Sequence, residues 1–275
     1  MNYFTSLSLL AGLGPPYSRT PASFEAGLEL GWIPELSASQ RRVGFNGTKE
    51  EDLNKAPIFA RPRLTIGLPW STALTLSYVP PIHLFGVTPN LFAFGVERPI
   101  YDRKPWTVGL RAYGQIGDVE GAFTCPEEAA RSRPGSPQNP LGCQGESSDT
   151  ATQHYGGLEL TAAYRLEQAR GLTPYVAVAG NFLDTRFQVD ALELGFHDRT
   201  RLAASTWTFS ATGGVVYPLS DKMRLSIGAF YSPLWVRRPP ATDSELDGVL
   251  NVRGLVTYQF SWSTIADVFR KVGHQ

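Results

Sequence analysis

Residues 22–33 read ASFEAGLELGWI, and their period decides the fold. Phe24, Ala26, Leu28, Leu30 and Trp32 fall on one face of an extended chain. Glu25, Gly27, Glu29 and Gly31 fall on the other. A helix would set Leu28 beside two glycines on one stripe, an unfavourable arrangement, whereas strict two-residue alternation is what a strand with one apolar face requires.

The same sense of alternation recurs along the chain, in residues 61–68, 72–79, 91–98, 106–115, 154–166, 174–187, 205–217, 223–235 and 250–260. With 22–33 these make about ten predicted strands. The apolar face carries no charge. The opposite face carries Glu25, Glu29, Arg63, Glu97, Arg111, Glu159, Arg165, Arg224 and Arg253. Connections alternate in length. Short ones lie at 69–71, 102–104, 168–171 and 220–221, and longer ones at 37–57, 80–90, 117–152, 188–203 and 237–248. One end of the sheet thus has tight turns and the other has loops, with both termini at the tight-turn end.

Composition bounds the alternatives. The 275 residues carry 25 Lys plus Arg against 25 Asp plus Glu, which gives no basic surface for nucleic acid. Mean hydropathy is −0.16, and no run of about 20 apolar residues could cross a bilayer as a helix. A barrel that alternates apolar and polar residues gives this same near-neutral average. Aromatic residues gather at strand ends. Trp70, Trp106, Tyr164, Tyr217, Tyr258 and Phe260 lie toward the short turns; Trp32, Trp207 and Tyr231 lie toward the loops. Two aromatic girdles at two membrane–water interfaces are expected.

The last predicted strand, Asn251–Phe260 (NVRGLVTYQF), resembles the terminal strand of bacterial outer-membrane β-barrels, with alternating apolar residues ending in an aromatic. The resemblance spans roughly residues 22–260. It implies a closed all-β, up-and-down transmembrane barrel with short periplasmic turns and long extracellular loops. It also implies a Gram-negative outer-membrane location, with outer-membrane lipid and lipopolysaccharide as neighbours. Three segments follow: 1–21 as an N-terminal periplasmic segment or signal remnant, 22–262 as the barrel, and 263–275 as a C-terminal tail. Residues 4–12 (FTSLSLLAG) form an apolar run that no Lys or Arg precedes, a poor match to a secretory signal. In the tail, Ile265, Val268, Phe269 and Val272 fall at helical spacing, which predicts a short amphipathic helix.

A ten-stranded lumen is only slightly wider than the eight-stranded one that side chains fill. The inward charges, of both signs, are therefore expected to pair as a salt-bridged plug. Cys125 and Cys143 share a Pro/Gly/Ser-rich segment with no neighbouring metal ligands, so a disulfide across the 117–152 loop is expected rather than a metal site. That loop or the tail could meet an envelope protein.

Evidence for chemistry is thin, and no cofactor is implied. His197-Asp198, with Asp184, Asp190 and Glu193 ahead of it, is the best candidate for a hydrolase site on the outer loops. Omptin proteases, a ten-stranded outer-membrane family, carry an acidic pair on one outer loop and an Asp-x-His unit on another. Here Val79–Asn90 has no carboxylate, and Gly195 stands two places before His197. The leading expectation is a non-enzymatic narrow pore or surface-interaction protein. An outer-membrane hydrolase is the alternative, and a soluble barrel with an internal ligand is the third reading.

Overall fold

Ten strands pair in sequence order, and the last pairs with the first, closing an antiparallel barrel. The computed structural model describes residues 2–43, 49–50, 52–236 and 245–261. The strands are β1 (Ser23–Trp32), β2 (Ile58–Gly67), β3 (Ala73–Val79), β4 (Val87–Arg103), β5 (Trp106–Gly121), β6 (Asp149–Tyr164), β7 (Thr173–Gln188), β8 (Arg201–Pro218), β9 (Met223–Val236) and β10 (Glu245–Ser261). Closure matters because a sheet in hydrocarbon must pair every backbone donor and acceptor within itself. The seam is the β1–β10 ladder, running from Ser23 opposite Ser261 to Gly31 opposite Arg253.

Burial along the strands is inverted relative to a soluble protein. In β7, Val176 and Val178 are 63% and 59% exposed, while Tyr175 and Ala177 beside them are 3% exposed. Leu28, Leu30, Leu158, Leu160, Phe209, Ile227 and Val252 also point out, whereas Glu29, Glu159, Asn181 and Arg253 are buried inside. This is the arrangement that an apolar surrounding dictates, and it is opposite to an apolar-ligand cavity in a soluble barrel.

Five strands outrun their alternation. β4, β5, β6, β8 and β10 have 16 to 18 residues, against the roughly 9–11 needed to cross a bilayer. The excess lies mainly at the loop end, although β4 also gains residues 99–103 toward its short turn, so the expected 80–90 and 117–152 loops shorten to 80–86 and 122–148. At the loop end the outward positions include Asp118 and Thr152 instead of apolar residues, and the two-residue signal fades with them.

Above this wall, the 122–148 loop and a small hairpin (Ala191–Glu193 with Phe196–Asp198) form a packed crown. Cys125 and Cys143 are disulfide-bonded with Cα atoms 5.8 Å apart. They pack with Phe123, Phe187, Val189 and Ala191. Asp149, fully buried, accepts from the backbone amides of Phe123, Thr124 and Asp190 and from the Ser147 hydroxyl at 2.6–3.0 Å. The predicted 263–275 helix lies outside the described residues.

The N-terminal stretch, expected as a periplasmic segment or signal remnant, runs through the barrel. A short helix, α1 (Asn2–Leu7), and the extended chain after it lie inside the lumen, with Leu7, Leu9, Leu10, Ala11 and Leu13 buried. An apolar run is stable there because it packs against Ala93, Tyr113, Tyr155, Leu183 and Phe230 of the wall.

Replacing Cys125 and Cys143 together by Ser should loosen the crown alone, by about 3 kcal/mol of local opening free energy for a loop of this length. Amide hydrogen exchange checks this: residues 122–148 should exchange faster, while amides in the middle of β6 and β7 keep their protection.

Candidate functional site: a filled lumen

The N-terminal segment threads the barrel from the loop end to the short-turn end. Near the loop end, the Tyr3 hydroxyl donates to Pro34 O at 2.5 Å, Thr5 meets the Thr185 hydroxyl at 2.9 Å, and Leu7 packs on Leu234 and Val249. At mid-height the Gly12 amide donates to both Glu159 carboxylate oxygens at 2.9 and 3.2 Å. At the short-turn rim Ser18 donates to Asp102 at 2.7 Å, and the chain then turns up into β1, where Ala22 donates to Gly67 O at 2.9 Å.

An extended segment brings carbonyl groups with no ladder partner, and each must be satisfied in the interior. Arginines of the wall do this. Arg253, fully buried, donates to Leu9 O at 2.6 Å and to Leu7 O at 3.0 Å. Arg61 reaches Ser8 O at 2.8 Å, and Arg63 reaches Ala11 O at 3.2 Å. The Tyr155 hydroxyl also donates to Ser8 O, at 2.9 Å. A guanidinium has five donors in a fixed fork, so one arginine can serve a carbonyl and a carboxylate together.

Four carboxylates hold the arginines of the lumen in three clusters. Glu29 accepts from Arg61 at 2.9 Å and from Arg63 at 2.8 Å, and Arg253 lies 3.6 Å from its other oxygen. Arg111 joins Glu97, at 2.6 and 2.8 Å, to Glu159. Glu25 pairs with Arg19 at 2.9 Å and with Arg224. Of the nine charges expected inside, the structure therefore gathers eight. Arg165 is the exception: its side chain is 47% exposed at the short-turn rim and pairs with Glu167 at 3.3 Å. Alternation runs to the end of a strand and does not mark where the lumen stops.

Arg61, Arg19 and Gly12 belong to the network and were missed. Arg61 was legible, being two residues before Arg63 on the same face. Gly12 carries no local signal, yet a Cβ there would lie 1.6 Å from Arg111 Nη1, so only glycine brings the segment this close to the Arg111–Glu159 pair. Gly109 similarly admits Pro16, whose ring would stand 2.6 Å from an added Cβ.

Outside, the aromatic residues stand at both ends of the apolar band. Trp32, Trp207 and Tyr231 are exposed near the loop end, and Trp70, Trp106 and Tyr258 near the short turns. Tyr164 packs edge-on to Trp106 at 4.8 Å, Phe260 stacks on Phe24 at 5.7 Å, and Tyr217 is half-buried. On β7 the outward apolar positions run from Pro174 to Phe182, which at ~3.3 Å per residue and ~40° of tilt is about 20 Å of height. Immediately beyond stands a polar row: His154, Asp184 and Ser205 are direct neighbours across β6, β7 and β8.

Neither histidine assembles a hydrolytic relay. In the polar row Asp184 is the middle residue and accepts from the Ser205 hydroxyl at 2.7 Å, so no base stands between nucleophile and acid. His197 Nδ1 lies 3.6 Å from Asp190 on the exposed hairpin. Among the described residues, no group of three or more His, Cys, Asp or Glu is placed to hold a metal ion.

A closed antiparallel barrel with an apolar outer belt and paired charges inside has the architecture of the outer-membrane β-barrels. No family model matches the chain, and no curated protein matches it. Solved structures to which the chain shows similarity include the outer-membrane protease OmpT of Escherichia coli, at 10% identity over 88% of this chain and 98% of that one, with a TM-score of 0.45. The translocator domain of the autotransporter NalP from Neisseria meningitidis gives 12%, 88%, 90% and 0.43 in the same terms. Ail of Yersinia pestis gives 11%, 88%, 100% and 0.34. No activity is carried over from any of them.

Glu29→Gln would leave three arginines facing a neutral group and should lower unfolding free energy by about 3–5 kcal/mol. Glu167→Gln at the exposed rim should cost less than about 1 kcal/mol. Urea titration of the two variants in lipid vesicles measures the contrast, and equal losses would remove Glu29 from its central role.

Proposed function

We propose that this protein resides in the outer membrane as a closed barrel, sealed by its own N-terminal segment, and acts at its extracellular face as a structural and surface-interaction protein. The observation that carries this reading is the seating of residues 5–13 across the lumen, with backbone carbonyls bound by Arg61, Arg63 and Arg253. The aromatic belts would sit at the two lipid interfaces, and the polar row of His154, Asp184, Arg186 and Ser205 at the height of lipopolysaccharide headgroups.

The extracellular face supports a contact role. Phe85 and Leu194 occupy left-handed turn positions, at φ 54° and 48°, each followed by a glycine also at positive φ. Such a position costs a side chain with a Cβ about 1–2 kcal/mol, and Asn or Gly would relieve it. Both side chains are nonetheless large, apolar and more than half exposed, as are Ile82, Leu84 and Phe196 near them in sequence. A rigid, disulfide-clipped crown between these tips suits an envelope or surface protein as partner. The hydrolase reading around His197 has no such support.

In planar bilayers the intact refolded protein should be electrically silent. Deleting residues 2–16, or seating failure through Gly12→Leu, should produce discrete conductance steps. Those steps should favour anions weakly, since Arg61, Arg63, Arg111, Arg224 and Arg253 outnumber Glu25, Glu29, Glu97 and Glu159. Stable steps of the same size from the intact chain would instead make it a narrow pore.

A further inference from the structure

The N-terminal segment does not fill the lumen to its short-turn end. Where it leaves, a cavity of about 170 Å³ opens, walled by Tyr17, Arg19, Arg165, Thr173, Arg224 and Gln259 among others. It adjoins a smaller space of about 60 Å³ that shares Tyr17, Arg19 and Arg224. Three of the walls of the larger cavity are arginines, and among the described residues no carboxylate lines it. This differs from the lumen above, where arginines and carboxylates alternate around each hub.

The nearby carboxylates do not neutralise the three. Glu25 lies behind the cavity and is shared between Arg19 and Arg224. Glu167 stands outside, on the exposed flank of Arg165. Glu167 is further shared with Lys104, and Asp102 is bonded to Ser18, so among the described residues Arg19, Arg165, Arg224 and Lys104 meet three carboxylates and one positive charge is in excess. A donor is also unused: Arg19 Nε is buried with no hydrogen-bond partner, although its Nη2 is engaged by Glu25. That nitrogen has no accessible surface, so the guanidinium edges a ligand would meet are chiefly those of Arg165 and Arg224, 47% and 22% exposed. Arg224 is held in place by the Tyr17 ring, 4.5 Å below its guanidinium. Gly171, at φ +78°, would bring a Cβ within 3.2 Å of Arg165 Nη2, so the turn closes tightly against that guanidinium.

We infer that this vestibule binds a small free oxyanion, a phosphate or carboxylate group, from the periplasmic side, with Arg19, Arg165 and Arg224 as its cationic walls. Planar guanidinium forks match two oxygens of such a group, whereas a halide uses only their charge. The Gln259 amide and the Tyr17 hydroxyl complete a polar lining. The site stands apart from the outer-face reading, since a conducting barrel could bind the same ion.

Isothermal titration of the full, refolded chain in a nonionic detergent, with inorganic phosphate against chloride at matched ionic strength, tests this. Heat-dependent gel mobility confirms that each variant is folded. Saturable one-to-one binding of phosphate is expected, weakened at least tenfold by Arg165→Gln and by Arg19→Gln and unchanged by Arg186→Gln at the far end of the barrel. Three results would overturn the site: phosphate behaving like chloride, both vestibule variants binding like the intact chain, or binding that appears only when phosphatidylglycerol is added to the micelle. The last would assign the arginines to a lipid headgroup.

Discussion

Glu29 is reached by arginines from both neighbouring strands, and much of the interior depends on that contact. Arg61 and Arg63 come from β2, and Arg253 comes from β10, so the hub straddles the seam where the last strand meets the first. The same three arginines also hold carbonyls of the N-terminal segment between Leu7 and Ala11. Closing the barrel and seating the segment therefore draw on one set of charges. Arg111 repeats the pattern on the opposite wall, tying β4 to β6 while Glu159 receives the Gly12 amide. A buried pair has a large cost when half of it is removed, because the remaining charge has no water to turn to. Here that cost couples distant parts of the chain.

The outer face obeys a different constraint. Leucine, valine and phenylalanine point outward because the surroundings are apolar, and the polar side chains are left to fill the interior with one another. Glycine serves both faces. It thins the wall where the segment passes, as Gly109 does for Pro16, and it removes the side chain from the segment itself at Gly12. The interior is consequently packed by main chain and arginine in the upper and middle lumen, and a cavity opens at the short-turn end.

The strands were legible because the two-residue period depends on local sequence and on a single global fact, that one face meets lipid. Glu25, Glu29, Glu97, Arg111 and Arg253 followed from it directly. Legibility ended where that fact ceased to apply. Asp118 and Thr152 continue the strands above the lipid, but no apolar face remains to reveal them. Arg165 obeys the period yet stands at the short-turn rim, outside the paired network. The run FTSLSLLAG was the hardest case: its apolar character is compatible with a leader, a peripheral segment or a plug, and what selects the last is a set of partners more than fifty residues away, among them Arg61, Glu159 and Arg253.

That distance bears on the order of assembly. Leu9 is bonded to Arg253 across 244 positions of sequence, so an element near one end of the chain is fixed by a strand near the other. A segment held at both ends of a closed cylinder is awkward to insert once the staves have locked, because its bulky leucines would have to pass the arginine constrictions. The natural sequence is the reverse: the sheet curls around a segment already lying along its inner face, and the final ladder shuts with its contents inside. Maturation of this protein would then resemble wrapping more than filling. The slow step would be the docking of the last strand against the first over an occupied interior.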